Sequence, residues 1–557
     1  GTLESPEILE IERAFNVAGS GEIGIQFEDA PSFGRVNYHY SAARKLANTK
    51  IQSGDEQAAG RIRAQLAAQG FPNQGRQQPG TLTTDHLPRI FFDWMELEGP
   101  LYDQWPPKST ERLFHRGLDE QSFGESYAQE IFTRLLPRAF RRPVRQEEID
   151  GIVGIVLGEL GHGESFPDAV RSGIVATLCS PAFLLINEPS SDSKSAIAAS
   201  PGKPSASESR KLSGHELAFR LSRFLWSTIP DEALNHLAAA DGLSSQAALR
   251  QQVARMLRDP KSEALASGFA RQWLKADEFD RFAIDRNLYR DFYRTENAGL
   301  NEAINREPIE FFREVLRTGG DVRDFLDCNW TMVNEPLARH YGIAGVDGRA
   351  FVRVDLPEPL HRGGLATMAA VHKWGSDGNR TKPVERGKYI LDVLFNDPPK
   401  PPPPNVGEVE PNVRGELLTV RERLDQHRTI PACANCHRTI DPYGLALENF
   451  SVTSRWRTKQ DGERSWWPDD ALIDASGTLP SGDRFETVEE YRRALRSQSD
   501  RFLTGLAEKM FTYALGRIVE PGDRDTINRL VERMQSNEHS LQSLIEGIVL
   551  SDAFLTK

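Results

Sequence analysis

The sequence predicts a mainly α, multi-domain helical protein with a partly β N-terminal region. At 557 residues the chain is too long for a single hydrophobic core. Beyond residue 115, apolar residues recur at helical spacing in several separate segments. Residues 88–99 are instead rich in aromatic and β-favouring side chains, which is typical of a strand. A content of 39% apolar and 27% charged residues indicates an ordinary soluble globular protein.

A short internal repeat relates the first helical region to the C-terminus. Residues 138–144 are echoed by 513–519, and residues 180–184 are echoed by 551–555 in the pattern Ser-x-Ala-Phe-Leu. Both blocks read as a helix, an acidic turn and a further helix that ends at this pattern. The repeat therefore predicts two similar helical hairpins, with chance similarity as the alternative.

The clearest helix start is a capping box formed by Ser213 and Glu216. A single apolar stripe follows it, made of Leu217, Leu221, Phe224 and Leu225. The same spacing recurs at 249–257, 502–513 and 541–549. Because Met256 and Met510 fall on these stripes, we expect both to be core residues.

Two segments of unusual composition separate the helical regions. Residues 189–210 are rich in Ser, Pro and Lys with few large apolar side chains, which predicts a surface linker. Residues 398–404 read Pro-Pro-Lys-Pro-Pro-Pro-Pro, a run that adopts polyproline II and acts as a stiff strap.

Cys433, Cys436 and His437 form a C-x-x-C-H motif, the attachment signature of a c-type haem. Two thiols three positions apart can bond the two vinyl groups of one porphyrin, and the adjacent imidazole can serve as the proximal iron ligand. A redox C-x-x-C and half of a zinc site are the alternatives. The chain has only 4 Cys and 12 His, and no second C-x-x-C or H-x₃-H completes a zinc tetrahedron.

These observations divide the chain into six predicted segments, with a haem c domain embedded near the C-terminus. They are the partly β region 1–115, a helical hairpin domain 116–188, the linker 189–210, a helical domain 211–345, the haem c domain with its strap 346–460, and a C-terminal helical domain 461–557.

Four further stretches carry a family resemblance, at 217–230, 334–342, 380–387 and 427–450. Their motifs resemble the planctomycete-type cytochrome-domain proteins, large secreted proteins built from consecutive domains of unknown function around one C-x-x-C-H. Lys382 departs from the Ser usual in that family, and residues 1–115 match poorly. The resemblance implies haem c and a periplasmic or surface location, and it implies no settled reaction.

The sixth iron ligand would decide the chemistry of such a haem. By its position in the family motif, His427 is a distal candidate, and His372 could reach in from another element. Met368 offers a thioether, and an open or water-filled position is the remaining alternative. A closed iron favours electron transfer, whereas an open iron permits peroxide or O₂ chemistry.

Side chains near the motif are candidates for holding the porphyrin. Arg380, Lys382 and Arg386 lie in a segment that the family keeps close to the haem motif, so the resemblance favours contacts to the anionic propionates. A solvated basic loop is the alternative. Pro442 should end any helix, and the resulting turn should pack Tyr443 beside the porphyrin.

Aromatic residues follow the motif closely. Trp456, Trp466 and Trp467 could form an aromatic wall or an electron path, and core packing is the alternative.

Charge and composition restrict the partners and the location. A net charge of −12 argues against nucleic acid or an anionic membrane and suits a basic redox partner protein or complex subunit. No apolar run is long enough to cross a bilayer. Because haem c is attached outside the cytoplasm, we expect a periplasmic or extracellular protein whose signal peptide has been removed.

The leading functional hypothesis is electron transfer by a mono-haem c-type cytochrome. The alternatives are a haem enzyme of peroxidase or oxidase type, thus an oxidoreductase, and a haem-carrying scaffold that binds a partner, a polysaccharide or a small molecule. The two other cysteines, Cys179 and Cys328, could form a disulfide in an oxidising compartment or remain free thiols.

Overall fold

The computed structural model describes residues 107–117, 123–185, 210–401, 418–459 and 472–557, together with positions 57 and 61. The predicted strand at 88–99, the linker apart from residue 210, and residues 402–404 of the proline strap lie outside the described residues. The chain divides into two compact units, Gly1–Lys108 and Ser109–Lys557, and the description below concerns the second.

The first group of helices forms its own small hydrophobic core. Its members are α1 (Lys108–Leu113), α2 (Glu125–Phe140), α3 (Gln146–Gly161), α4 (Phe166–Cys179) and α5 (Pro181–Leu184). Phe132 and Val156 are buried at its centre, and Gly173 of α4 faces both side chains closely enough that a Cβ there would meet them at 2.6 and 2.9 Å. The glycine therefore sets how closely α4 packs on its neighbours.

The central group is larger and almost entirely helical. Its members are α6 (Gly214–Trp226), α7 (Glu232–Ala239), α8 (Gln246–Arg258), α9 (Glu263–Leu265), α10 (Arg271–Trp273), α11 (Leu300–Thr318) and α12 (Glu335–Tyr341). The predicted capping box of Ser213 and Glu216 is confirmed at the start of α6. Antiparallel strands β1 (Trp330–Val333) and β2 (Val352–Asp355) form a small sheet beside α11 and α12.

The region around the C-x-x-C-H motif contains four helices. They are α13 (Ala369–Trp374), α14 (Pro383–Tyr389), α15 (Val420–His427) and α16 (Pro431–Leu445). Residues Ile390–Leu394 extend α14 as a π-helical turn. Pro442 does not end the helix, contrary to the sequence prediction, because α16 continues through it to Leu445. Buried contacts of Ile440 and Tyr443 on either side offset the lost backbone hydrogen bond.

The C-terminal group begins with a second two-stranded sheet, β3 (Gly477–Thr478) against β4 (Arg484–Phe485). The helices that follow are α17 (Val488–Arg496), α18 (Ser499–Leu515), α19 (Arg524–Ser536), α20 (Leu541–Val549) and α21 (Asp552–Leu555). One continuous core joins α6 through α21, apart from α15, and includes Met256 and Met510, as predicted from their helical spacing. The mainly α fold class is confirmed.

The two repeat blocks share an order of helices and several contacts. In the first block, Arg142 pairs with Glu148 and Ser180 caps the final short helix through the Phe183 amide. In the second, Arg517 pairs with Asp523 and Ser551 caps its final helix through the Phe554 amide. The long first helix of each block ends at a left-handed residue, Arg141 or Gly516.

Helix α6 contacts both blocks through adjacent side chains. The ring of Phe219 lies 5.3 Å from the Arg141 guanidinium of the first block. The next residue, Arg220, donates to the Phe554 carbonyl of the second block at 2.7 Å. Consecutive residues of one helix thus contact the two repeat blocks.

The two cysteines outside the motif are free thiols. Cys179 is exposed at the end of α4, and Cys328 is half-buried before β1. Burial raises the pKa of Cys328 to about 12, which keeps this thiol protonated. The structure therefore contains no bond between them.

Candidate haem-attachment site

Helix α16 carries the whole C-x-x-C-H motif. Pro431 begins the helix, where its missing amide hydrogen costs nothing. In a helix, residues separated by three or four positions share a face, so Cys433, Cys436 and His437 lie side by side. Cys433 is buried and Cys436 is exposed, and both are free thiols. The motif thus places two thiols and an imidazole on one face of α16.

The imidazole of His437 is oriented by a carboxylate one turn further along α16. Its Nδ1 lies 2.9 Å from Oδ1 of Asp441, and Asp441 is completely buried. Oδ2 of Asp441 has no hydrogen-bond partner, and the nearest cation, Nε of Arg428, is 4.0 Å away. A carboxylate bonded to Nδ1 leaves Nε2 of His437 as the metal-binding atom, the arrangement that typically supports a ligating histidine.

The distal candidate His427 lies beside His437. It is the last residue of α15, and the two ring centroids are 4.8 Å apart in an edge-to-face contact. Burial, together with the nearby His437, lowers the pKa of His427. Rings in such contact leave no space between them for a porphyrin plane. As arranged, His427 packs beside His437, the candidate proximal ligand, and does not lie where a distal ligand would be needed.

The other distal candidates are core residues in this structure. His372 is fully buried, its Nδ1 is 2.8 Å from Oγ of Ser454, and its ring stacks on Phe450 at 4.3 Å. Burial, reinforced by Arg386, lowers the pKa of His372 well below its ordinary value. Met368 is also buried, at the start of α13. The contacts of His372 are with the loop after α16 and do not include His437.

The two arginines predicted to bind propionates have protein partners. Arg386 is fully buried and donates to the carbonyls of Leu447 and Phe450 at 2.6 and 2.9 Å, and to that of Ser451 at 3.2 Å. Burial lowers its pKa to about 10. Arg380 instead donates to Asp377 at 3.0 Å. In this structure Arg386 holds residues 447–451, the segment that follows α16.

Tyr443 faces away from the motif into the C-terminal helices. Its hydroxyl donates to Oε1 of Gln498 at 3.1 Å, and its carbonyl accepts from Tyr491 at 2.9 Å. Trp456 stacks on His361 at 3.8 Å. Trp466 and Trp467 lie outside the described residues.

Two glycines allow α14 and α16 to pack backbone against backbone. A Cβ on Gly444 would lie 1.7 Å from the Pro383 carbonyl oxygen, and one on Gly387 would lie 2.3 Å from that of Ile440. Both helices carry family motifs. The close approach fixes α16 against α14, the helix that contains Arg386.

The donor set fits a covalently attached haem. The two thiols and the supported imidazole are those that c-type attachment needs. Within the described ranges, no group of three or more His, Cys, Asp or Glu side chains is arranged to hold a metal ion. Sequence reasoning missed Asp441 and Arg428. Asp441 lies four positions after His437, a spacing that places both side chains on one face of a helix. A helix predicted to end at Pro442 gave no reason to expect this contact.

Four family models match the chain, each with a description as a protein of unknown function. They are DUF1595 at residues 127–188, DUF1592 at 212–343, DUF1588 at 362–460, which contains the motif, and DUF1585 at 481–554. Together they cover about two thirds of the sequence. No curated protein and no solved structure matches it.

This succession of domains defines a class of large, mainly helical, cytochrome-like proteins. The chain belongs to the planctomycete-type cytochrome-domain family, as the sequence motifs indicated. Among the residues described, no helix has the length and apolar character required to span a membrane.

Proposed function

We propose that this protein is an extracytoplasmic mono-haem c-type cytochrome that transfers electrons, alone or as a subunit of a larger redox complex. The observation that carries the proposal is the His437–Asp441 pair on a helix that also presents two free thiols. Membership of the cytochrome-like family supports it further.

Each residue of the site has a distinct task in this proposal. Cys433 and Cys436 anchor the porphyrin, and Nε2 of His437 binds the iron. Asp441 holds the imidazole in one orientation and increases its basicity. Haem, when bound, supplies an iron that exchanges one electron. Arg428 lies closest to the buried Asp441 carboxylate and offsets part of its charge.

Export with a cytochrome c maturation system tests the attachment. We expect exported protein to give the pyridine haemochrome spectrum of haem c. The haem should also stay with the chain in denaturing electrophoresis. Double replacement of Cys433 and Cys436 by Ala should abolish it, whereas Cys179→Ala, which removes an exposed thiol elsewhere, should not. Haem in the double variant, or none in the wild type, would contradict the proposal.

A second candidate function is a haem enzyme with an open distal position. The specific observation in its favour is that His427 packs against His437 while His372 is held in the core. The undescribed flanking segments 402–417 and 460–471 contain no His, Met, Cys or Lys. Rapid CO binding and peroxide turnover would favour this candidate. A low-spin spectrum insensitive to CO and cyanide would favour electron transfer.

We also propose a periplasmic or extracellular location and a redox partner protein. The acidic net charge of −12 supports a basic partner, because opposite charge accelerates encounter. Expression of the same chain without an export signal should yield protein that lacks haem. Covalent haem in cytoplasmic protein would contradict this location.

A further inference from the structure

A cleft of the described structure lies between the two repeat blocks. It has a volume of about 1450 Å³ and is bordered by the end of α2, the end of α6 and the second half of α18. Pockets for drug-sized ligands enclose about 300–1,000 Å³, so this cleft could hold a longer molecule.

We propose that this cleft binds an organic anion, a carboxylate carried on a body with apolar faces. Its lining combines uncompensated arginines with aromatic rings, and each part selects a different portion of such a ligand.

The arginines supply the anionic selectivity. Arg141 and Arg223 both line the cleft, and their positive charges oppose each other, which adds to the effect of burial in lowering the pKa of Arg141. Arg141 donates to the neutral carbonyls of Ala182 and Phe183. Arg223 is exposed, and no carboxylate in the described part of the chain pairs with it. A bound carboxylate would relieve this like-charge repulsion.

The other cations of the cleft are already neutralised. Arg517 pairs with Asp523 at 2.6 Å, Lys509 with Asp392 at 3.1 Å, and Arg524 with Glu508 at 3.4 Å. The carboxylate of Glu520 also lines this side of the cleft. The excess positive charge therefore lies at the junction of α2 and α6, and not over the whole wall.

The aromatic lining supplies affinity for the body of the ligand. Phe219 and Tyr513 are partly exposed in the cleft, with Trp273 buried behind them. Aromatic faces of this kind stack on planar groups or on the apolar faces of sugar rings. An inorganic anion would use the arginines and make no contact with the exposed parts of these rings.

Most of the cleft lies away from α16. Its point of closest approach is Asn396, which lines the cleft and follows Phe395, whose ring lies 5.9 Å from that of Tyr443. Gln498, which bonds to Tyr443 of α16, precedes α18, whereas Tyr513 in the cleft lies near its C-terminal end. Fifteen residues of helix place them about 22 Å apart.

Isothermal titration of the full chain tests the proposal with two matched pairs of probes. Benzoate and benzamide share an aromatic body, and trigalacturonate and its fully methyl-esterified form share a sugar body. We expect at least one acidic member to bind tenfold or more tighter than its neutral partner, and the pair that shows this identifies the body. Equal binding within both pairs would overturn the proposal.

A charge series at Arg223 provides the control for specific binding. Affinity for the acidic probe that binds best should be highest with the native Arg223 and should fall from Arg223→Lys to Arg223→Gln to Arg223→Glu. The loss for Arg223→Gln should be at least fivefold. Arg258→Gln removes an exposed arginine outside the cleft and should leave affinity unchanged. An equal loss in Arg258→Gln, or an order that does not follow charge, would overturn the proposal.

Discussion

At the scale of single residues, the site depends on a buried carboxylate that the C-x-x-C-H pattern does not include. Asp441 contacts His437 from within the same helix, and its second oxygen has no hydrogen-bond partner. A buried carboxylate in this position strengthens electron donation from the imidazole to the iron, which favours the oxidised metal.

Replacing this carboxylate should therefore change the redox behaviour. We expect Asp441→Asn to raise the reduction potential of the haem by on the order of 60 mV, a tenfold change in a one-electron equilibrium. Potentiometric titration measures it. Asp525→Asn, which removes an exposed carboxylate of α19, should shift the potential little. Equal potentials for Asp441→Asn and the wild type would contradict the role of Asp441.

Arg386 allows a test between a structural and a propionate-binding role. Lysine cannot reproduce its fork of contacts to four backbone carbonyls, so Arg386→Lys should lower the free energy of unfolding by about 3 kcal/mol. The haem spectrum should be unchanged. Arg380→Lys should lower the free energy of unfolding much less, because in the described structure the Arg380 side chain pairs only with Asp377. A spectral or potential change without destabilisation would favour the propionate.

At the scale of elements, α16, which carries the C-x-x-C-H motif, is held in place by its close packing against α14. Side chains cannot be accommodated at Gly444 and Gly387, where the partner backbone lies within contact distance. The same packing explains why α16 continues through Pro442. The cost of an interior proline, about 3 kcal/mol, is offset by burial on both sides of it.

Gly444→Ala should consequently destabilise the protein. Its Cβ would overlap the Pro383 carbonyl, a backbone atom that cannot move independently, so we expect a loss of about 3 kcal/mol in chemical denaturation. Gly154→Ala is the matched control in α3, where nothing lies within 4 Å of the added Cβ. That substitution should stabilise by about 0.5–1 kcal/mol. A neutral Gly444→Ala would contradict the packing described.

At the scale of the whole molecule, stability depends on buried groups with opposite responses to pH. Burial raises the pKa of Glu307 to about 7, although Tyr341 and Thr331 donate hydrogen bonds to it at 2.6 and 2.7 Å. Burial lowers the pKa of His340 to about 4. The protein should thus lose stability towards acid through His340 and towards neutral pH through Glu307.

Glu307 gives the clearest prediction of this kind. Its folded pKa is above its unfolded value of 4.5, so its contribution is complete below pH 4.5 and lost as the pH rises through about 7. At 1.36 kcal/mol per pKa unit, the loss is about 3 kcal/mol. Glu307→Gln should remove this pH-dependent loss of stability, so the variant should be more stable than the wild type at pH 8 in urea titrations. An equal pH dependence in both proteins would contradict this assignment.

The sequence predicted regular elements better than it predicted buried polar partners. Capping at Ser213 and burial of Met256 and Met510 follow from local spacing, and the structure confirms them. The environments of Arg386 and His372 depend on contacts with residues 447–454, more than sixty positions away. Local patterns contain no information about such contacts, and Pro442 shows that tertiary packing can override a strong local rule.

We propose that Cys433, Cys436 and His437 hold one haem c. The decisive measurement is mass spectrometry of the peptide that contains them, from exported protein matured in a haem-attaching host. We expect this peptide to carry the mass of one haem, with neither thiol open to an alkylating reagent. Recovery of the peptide without haem, with both thiols alkylated, would show that the motif does not attach haem.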